Sequence, residues 1–163
     1  VTKLDGEYYC DIYNNEGWLP TASVRFFNVF GPRQDPASHY AAAVPIFIES
    51  AQNEQPITIF GDGGQTRDFI YVKDIVEALA FLAEDSTKHG VFNAGYGKSI
   101  SILELADSIK RALGSDSDIR FEDERLGDLR HSRSDPSRLL RAGWKPKYSV
   151  NSGMEELLSG LSK

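Results

Sequence analysis

The sequence predicts an α/β protein: the last helix and strand of a parallel sheet, followed by a small α/β body. Three observations carry this. Segment 1–16 has helical spacing and runs into the β-branched and aromatic stretch 21–30, which ends at Gly31-Pro32. Helical and strand patterns then alternate along the chain, the order that accompanies a parallel sheet. At 163 residues, 40% hydrophobic and 26% charged, the chain can bury a core and has an ordinary globular composition.

Each element has its own warrant. In the first helix Leu4, Tyr8 and Ile12 form one stripe and Tyr9 and Tyr13 a second, with Gly17 as the stop. No capping residue precedes it, so it reads as a helix already under way in the C-terminal part of a longer enzyme. Residues 1–35 are therefore set apart, as a sheet remnant, from a largely separate body of residues 36–163. Segment 41–52 is helical, with Pro45 tolerated near the first turn, where its missing N–H would be unpaired anyway. A short strand at 56–61 and a turn at 62–66 follow. Asp74 with Glu77 resembles a capping box opening a helix at 75–85, and 90–95 is a strand. Ser101 and Glu104 form a stronger box, leading into Ile102, Leu105, Ala106 and Ile109 on one face and closed by Gly114. Next come a strand at 118–123 and a short helix with Asp135 as cap, Pro136 at its first position and Gly143 as its close. A final helix places Val150, Met154, Leu157, Leu158 and Leu161 on one face.

The net charge of −6 argues against a broad nucleic-acid or anionic-membrane surface. The basic cluster Arg125, Arg130, His131, Arg133, Arg138 and Arg141 alternates with Asp123, Glu124, Asp128 and Asp135, which suits a small anionic ligand. The single cysteine, Cys10, cannot form an internal disulfide and reads as a buried structural thiol in a reducing compartment. With no apolar run of membrane-spanning length and no signal-peptide pattern, the expected location is cytoplasmic. His39, His89 and His131 lack metal-ligand spacing, so no metal is expected. Gly61-Asp62-Gly63-Gly64 lacks the Lys-Ser/Thr ending of a phosphate loop and reads as a turn. Asp68, Asp74 and Glu77 read as turn, cap and helix charge.

Two guanidiniums stand out. Arg67 and Arg125 each lie in a Gly-punctuated loop near a carboxylate, Asp68 for the first and Asp128 for the second. The planar guanidinium fork grips a pyrophosphate through paired charge-assisted hydrogen bonds. A carboxylate three residues beyond Arg125 can accept hydrogen bonds from a pair of sugar hydroxyls. Together they describe a pocket for a nucleotide diphosphate joined to a sugar.

Four motifs in order, "VRFFNVFGPRQDP", "FGDGGQTRDFIYVKDI", "FNAGYGKSISILELA" and "GDLRHSRSDPSRLLRAGWKPKYS", resemble the C-terminal half of the extended short-chain dehydrogenase/reductases. Within that family the nearest likeness is to the NAD-dependent nucleotide-sugar 4-epimerases. The resemblance implies a Rossmann-type NAD domain ending near residue 35 and a nucleotide-sugar domain after it. It implies that Lys3 is the lysine of a Tyr-x-x-x-Lys pair whose tyrosine would precede Val1, and that Phe27 lies against the nicotinamide. Asn28 would contact the diphosphate-sugar; Ala42, Ala43 and Val44 would pass the nucleotide at a helix start; Thr58, Ile59 and Phe60 would flank the uracil. Arg67 and Arg125 would hold the pyrophosphate and Asp128 the ribose hydroxyls. A small residue at Ser132 would leave room for an N-acetyl group. NAD, a UDP-sugar and a homodimer partner packed on helix 1–16 complete the implied set. Other reactions of the superfamily, namely dehydration, reduction or decarboxylation, and a UDP-binding role without catalysis remain open readings. Without the tyrosine and a glycine-rich dinucleotide turn, these 163 residues are not expected to turn over substrate alone.

Overall fold

A change of strand partner in the first thirty residues sets the layout. Helix α1 (Thr2–Asn15) leads to β1 (Ala22–Phe26) and β2 (Val29–Phe30). The expected single strand over 21–30 is thus two strands. β1 pairs in parallel with β6 (Gly90–Ala94), Ala22 opposite Gly90 through Phe26 opposite Ala94. β2 pairs in parallel with β5 (Ile70–Tyr71). At the break the Phe27 N–H donates to the Ala94 carbonyl at 3.2 Å, and the Ile70 N–H donates to the Asn28 carbonyl at 3.3 Å. The chain is handed from one pair to the next. This pairing corrects the expectation that the opening sheet segment is largely separate from the rest, because the sheet partner of β1 lies some seventy residues on.

The computed structural model describes residues 1–38 and 42–161, the Leu161 side chain excepted. His39, Ala41 at the start of the expected 41–52 helix and the orientation of Leu161 therefore lie outside the described residues. The remaining elements are α2 (Ala43–Gln52), β3 (Ile57–Phe60), β4 (Thr66–Arg67), α3 (Val72–Ala83), β7 (Ile100–Ser101), α4 (Ile102–Leu113), β8 (Ile119–Glu122), β9 (His131–Ser132), α5 (Ser137–Arg141) and α6 (Val150–Leu161). β3 pairs with β8 in parallel, while β4 lies between antiparallel β7 and parallel β9.

Side-chain alternation along one short segment divides the core. Phe69 and Tyr71 enter a cluster with Phe47 of α2, Ile57 and Ile59 of β3, Leu105 and Ile109 of α4, and Met154 and Leu157 of α6. Ile70, between them, enters a second cluster with Ile75, Ala78, Phe92, Leu139 and Trp144, against which Ala22, Val24 and Val29 pack. Successive residues of a strand point to opposite faces, so β5 is the partition between two cores. α6 approaches this partition closely: a Cβ on Gly153 would lie 2.9 Å from Phe30 Cζ and 3.0 Å from Tyr71 Cβ.

The Ser101–Glu104 box forms as expected, with the Glu104 N–H donating to Ser101 Oγ at 3.1 Å and the Ser101 N–H donating to Glu104 Oε2 at 2.7 Å. Gly114 closes α4 at φ +64°. The expected box at Asp74 does not form. α3 begins three residues earlier, at Val72, and Asp74 is fully buried, accepting the N–H groups of Lys147 at 2.8 Å and Tyr148 at 3.1 Å. It fastens the approach to α6 rather than capping its own helix. Burial pushes its carboxyl up from the usual range, and the two N–H donors work against that rise. Asp135 also shifts role by one position: its carboxylate accepts the Ser137 N–H at 3.0 Å, and Pro136 flanks α5 instead of starting it.

No residue of α1 is buried, and Leu4, Tyr8, Tyr9, Ile12 and Tyr13 are exposed. The helix is attached through polar contacts, Arg25 to Glu7 at 2.6 Å and Thr21 Oγ1 to the Cys10 carbonyl at 2.6 Å. Cys10 is half-buried, which corrects the expectation of a buried thiol, because the face it stands on is not covered. Among the described residues no helix is long and apolar enough to cross a membrane, and no cluster of ligating side chains could hold a metal ion.

The turn at 61–65 is held from outside. Gly61 and Gly63 take φ +75°, a conformation that favours glycine. Asp62 accepts both terminal nitrogens of Arg130, at 2.6 and 2.8 Å, and the Gly64 N–H at 2.9 Å. The Arg130 fork, and after it the Gly64 N–H, lowers the Asp62 carboxyl to about 2. A carboxyl depressed on folding stabilises the fold above its ordinary value near 3.8, and that contribution is lost as pH falls towards about 2. An NMR titration is expected to follow Asp62 to a midpoint of about 2, and Arg130→Ala to return it towards the ordinary carboxylate range. An ordinary midpoint in the unmodified protein would refute the pairing.

Candidate functional site

The two arginines singled out in the sequence line one cleft. Arg67 reaches it from β4, and Arg125 from the loop 123–130 between β8 and β9. The cleft has a volume of about 280 Å³, and its walls include Asn28, Ala42, Ala43, Thr58, Ile59, Phe60, Gln65, Arg67, Arg125 and Asp128. Ile46, Phe47, Phe69 and Ile102 form its apolar floor. A largely apolar hollow with a few convergent charged groups is the usual form of a small-molecule site.

Three contacts fold loop 123–130 onto residues 60–67. The Arg125 guanidinium lies 3.8 Å from the centroid of the Phe60 ring, a cation–π stack of about 0.5–1 kcal/mol at a part-exposed site. Arg67 Nη2 donates to Asp128 Oδ1 in an ion pair, and Arg67 Nη1 donates to the Thr66 carbonyl at 2.9 Å. Arg130 on Asp62 is the third. Within the loop the Asp128 N–H donates to the Arg125 carbonyl at 3.1 Å, and Gly127 at φ +83° allows the turn. That tight turn carries Arg125 and Asp128 into the same cleft.

Asp68 sets where Arg67 stands. Read in the sequence as a turn carboxylate, it is fully buried. It accepts the Tyr96 N–H at 3.0 Å, the Gly97 N–H at 2.9 Å and, from Ser134, both the N–H at 3.0 Å and the hydroxyl. Its own carbonyl accepts Asn28 Nδ2 at 2.9 Å. Gly95 is required here, since a Cβ would lie 2.3 Å from Ser134 Oγ. One carboxylate thereby joins the end of β6, the chain after β9 and the residue beside Arg67.

The other sequence-predicted residues fall elsewhere. Val44 is buried at 1% exposure and borders a separate hollow with Pro32, Gln34 and Ile48. Its place at the second position of α2 turns it away from Ala42 and Ala43. Phe27 is half-buried at the end of β1, and Lys3 is exposed on α1; neither is in the cleft wall. Ser132 lies on β9 in register with Arg67 on β4, one strand from the wall. His89 meets Asn14 and His131 meets Thr66 through hydrogen bonds at 3.1 and 3.0 Å.

Gln65 was missed. It is buried at 8% exposure in the cleft wall, and its Nε2 donates to the Phe60 carbonyl at 2.7 Å. Its Oε1 is buried without a hydrogen-bond partner among the described residues. The signal was its place inside the glycine-rich turn, where a side chain reads as solvated until burial is known.

The family model for the NAD dependent epimerase/dehydratase family matches residues 1–95. A putative UDP-glucose 4-epimerase of Methanocaldococcus jannaschii is 35% identical over 161 residues, covering 99% of this chain and 52% of the relative. Two solved structures superpose with a TM-score of 0.89 each. The UDP-N-acetylglucosamine 4-epimerase of Methanobrevibacter ruminantium M1, in complex with UDP-N-acetylmuramic acid, is 40% identical, covering 96% of this chain and 50% of that one. The UDP-glucose 4-epimerase of Thermotoga maritima, with UDP-glucose, is 32% identical, covering 98% of this chain and 51% of that one. The chain spans about half the length of the relatives it matches. With its model match over more than half the residues and its motifs on one cleft, the chain belongs to the NAD dependent epimerase/dehydratase family.

Proposed function

We propose that this chain forms the nucleotide-sugar side of an NAD-dependent 4-epimerase acting on a UDP-hexose or UDP-N-acetylhexosamine. The observation that carries the reading is the meeting of Arg67, Arg125 and Asp128 in one apolar-floored cleft. In it the arginines would hold the pyrophosphate, Asp128 the ribose hydroxyls, and Thr58, Ile59 and Phe60 the uracil. Ala42 and Ala43 stand at the start of α2, whose N-terminus favours a nearby phosphate. Asn28 keeps its amide oxygen for the ligand while Nδ2 is held by the Asp68 carbonyl.

Phe27 fits a position beside the nicotinamide, because it follows the carboxyl end of a parallel strand, where ligands of α/β sheets sit. NAD, when bound, supplies hydride acceptance from the sugar carbinol and its return to the opposite face. The residues of this chain would bind and orient the diphosphate firmly while leaving the hexose free to turn. Lys3, exposed on α1, would bring an ammonium beside a tyrosine four residues before it and favour the phenolate. Cytoplasmic location fits this chemistry.

Ser132, in register with Arg67, supports acceptance of an N-acetyl group, in keeping with the 40% identity to an enzyme of UDP-N-acetylglucosamine. The exposed Leu4, Tyr8, Ile12 stripe of α1 supports a homodimer in which a second copy covers it.

Calorimetric titration of UDP into the protein is expected to show binding, weakened about 10–100-fold by Arg67→Ala, the equivalent of one lost charged hydrogen bond of about 1.5–3 kcal/mol. Absence of UDP binding to the unmodified protein would sink the reading. In the enzyme, Ser132→Tyr should lower turnover of UDP-N-acetylhexosamine relative to UDP-hexose; unchanged selectivity would remove Ser132 from the argument. Sedimentation equilibrium should report a dimer that Tyr8→Asp and Ile12→Asp convert to monomer, and a monomeric unmodified protein would exclude the α1 interface.

A further inference from the structure

We infer that Asp128 decides which anions the cleft accepts, by occupying Arg67 until a ligand brings hydroxyl donors to take the arginine's place. The inference rests on the nucleotide-sugar reading and deepens it. Arg67, the proposed phosphate ligand, already gives one N–H of each terminal nitrogen away, to Asp128 Oδ1 and to the Thr66 carbonyl, and its charge is paired with the Asp128 carboxylate. Its side chain is only 15% exposed, so the ion pair is poorly screened on that side, while the Asp128 side chain is 36% exposed. An arriving phosphate therefore competes with a carboxylate that is present before it.

The exchange has a chemical requirement. When Arg67 turns to a phosphate oxygen, Asp128 loses its cation and faces a second anion. A carboxylate in that position needs donors, and it accepts hydrogen bonds without giving any. A ribose diol supplies two O–H groups, so a nucleoside diphosphate satisfies both members of the broken pair at once. Inorganic pyrophosphate satisfies the arginine and leaves the carboxylate unpaired beside like charge, which is costly in a part-buried site. Asp128 thus selects for ligands carrying a diphosphate and a free diol together, and against bare polyanions.

The test compares UDP with inorganic pyrophosphate, both without divalent cations, on the unmodified protein and on Asp128→Asn. The amide keeps the size of the side chain and removes its charge. Calorimetry should show pyrophosphate binding strengthened about tenfold or more in Asp128→Asn, with UDP binding weakened, so that the preference for UDP falls about 100-fold. Asp128→Ala should move pyrophosphate in the same direction, which separates the effect from any new bond made by the amide. Thermal melting of each variant establishes that the fold persists. Pyrophosphate binding that is unchanged or weaker in both variants, with UDP still bound by the unmodified protein, overturns the selection role and leaves the nucleotide reading standing. Failure of the unmodified protein to bind UDP overturns both.

Discussion

A fully buried carboxylate, held by main-chain N–H groups, keeps this protein's cleft in place. Asp68 gathers the Tyr96, Gly97 and Ser134 donors from two distant segments, and its own carbonyl takes Asn28. Each of those donors, left unpaired in the interior, would cost about 1–3 kcal/mol, so the segments are bound to the carboxylate rather than merely near it. Arg67 is the adjacent residue. Its main chain is therefore fixed by a polar hub, and its side chain by Asp128 and the Thr66 carbonyl.

The contacts on the cleft side are weaker and of a different kind. Loop 123–130 is fastened by a ring stack, a part-exposed ion pair and an exposed fork, with Leu126 and Leu129 left in solvent. Solvent screens an exposed fork such as Arg130 on Asp62, so it holds the loop only lightly. One wall of the cleft is thus backed by a buried carboxylate, and the other is held from its surface.

Much of this was legible in the residues. The helices with clear apolar periodicity, α4 and α6 above all, stand where their spacing puts them, and Arg67, Arg125 and Asp128 line one cleft as their loop chemistry suggested. The failures share a cause. The strands β4, β5, β7 and β9 have two residues each, too few for alternation to register, so no strand was expected between the turn at 62–66 and the helix at 75–85. The same brevity concealed the burial of Gln65 and Asp68, since a polar residue in a glycine-rich stretch carries no mark of being inside, whereas Asp74 was hidden because a carboxylate near a helix start reads as a cap. Val44 was placed by its neighbours in sequence, whereas helical rotation sends it to the core. The break at Phe27–Asn28 was invisible because both halves of the stretch are apolar, and only their partners differ.

The alternation at Phe69, Ile70 and Tyr71 has a consequence for how this region can vary. Changes of side-chain size there would be absorbed by one core or the other. A change of length would not, because deleting a single residue would exchange the contents of the two interiors and rotate the neighbouring guanidinium by half a turn. The segment is therefore constrained by counting more than by composition.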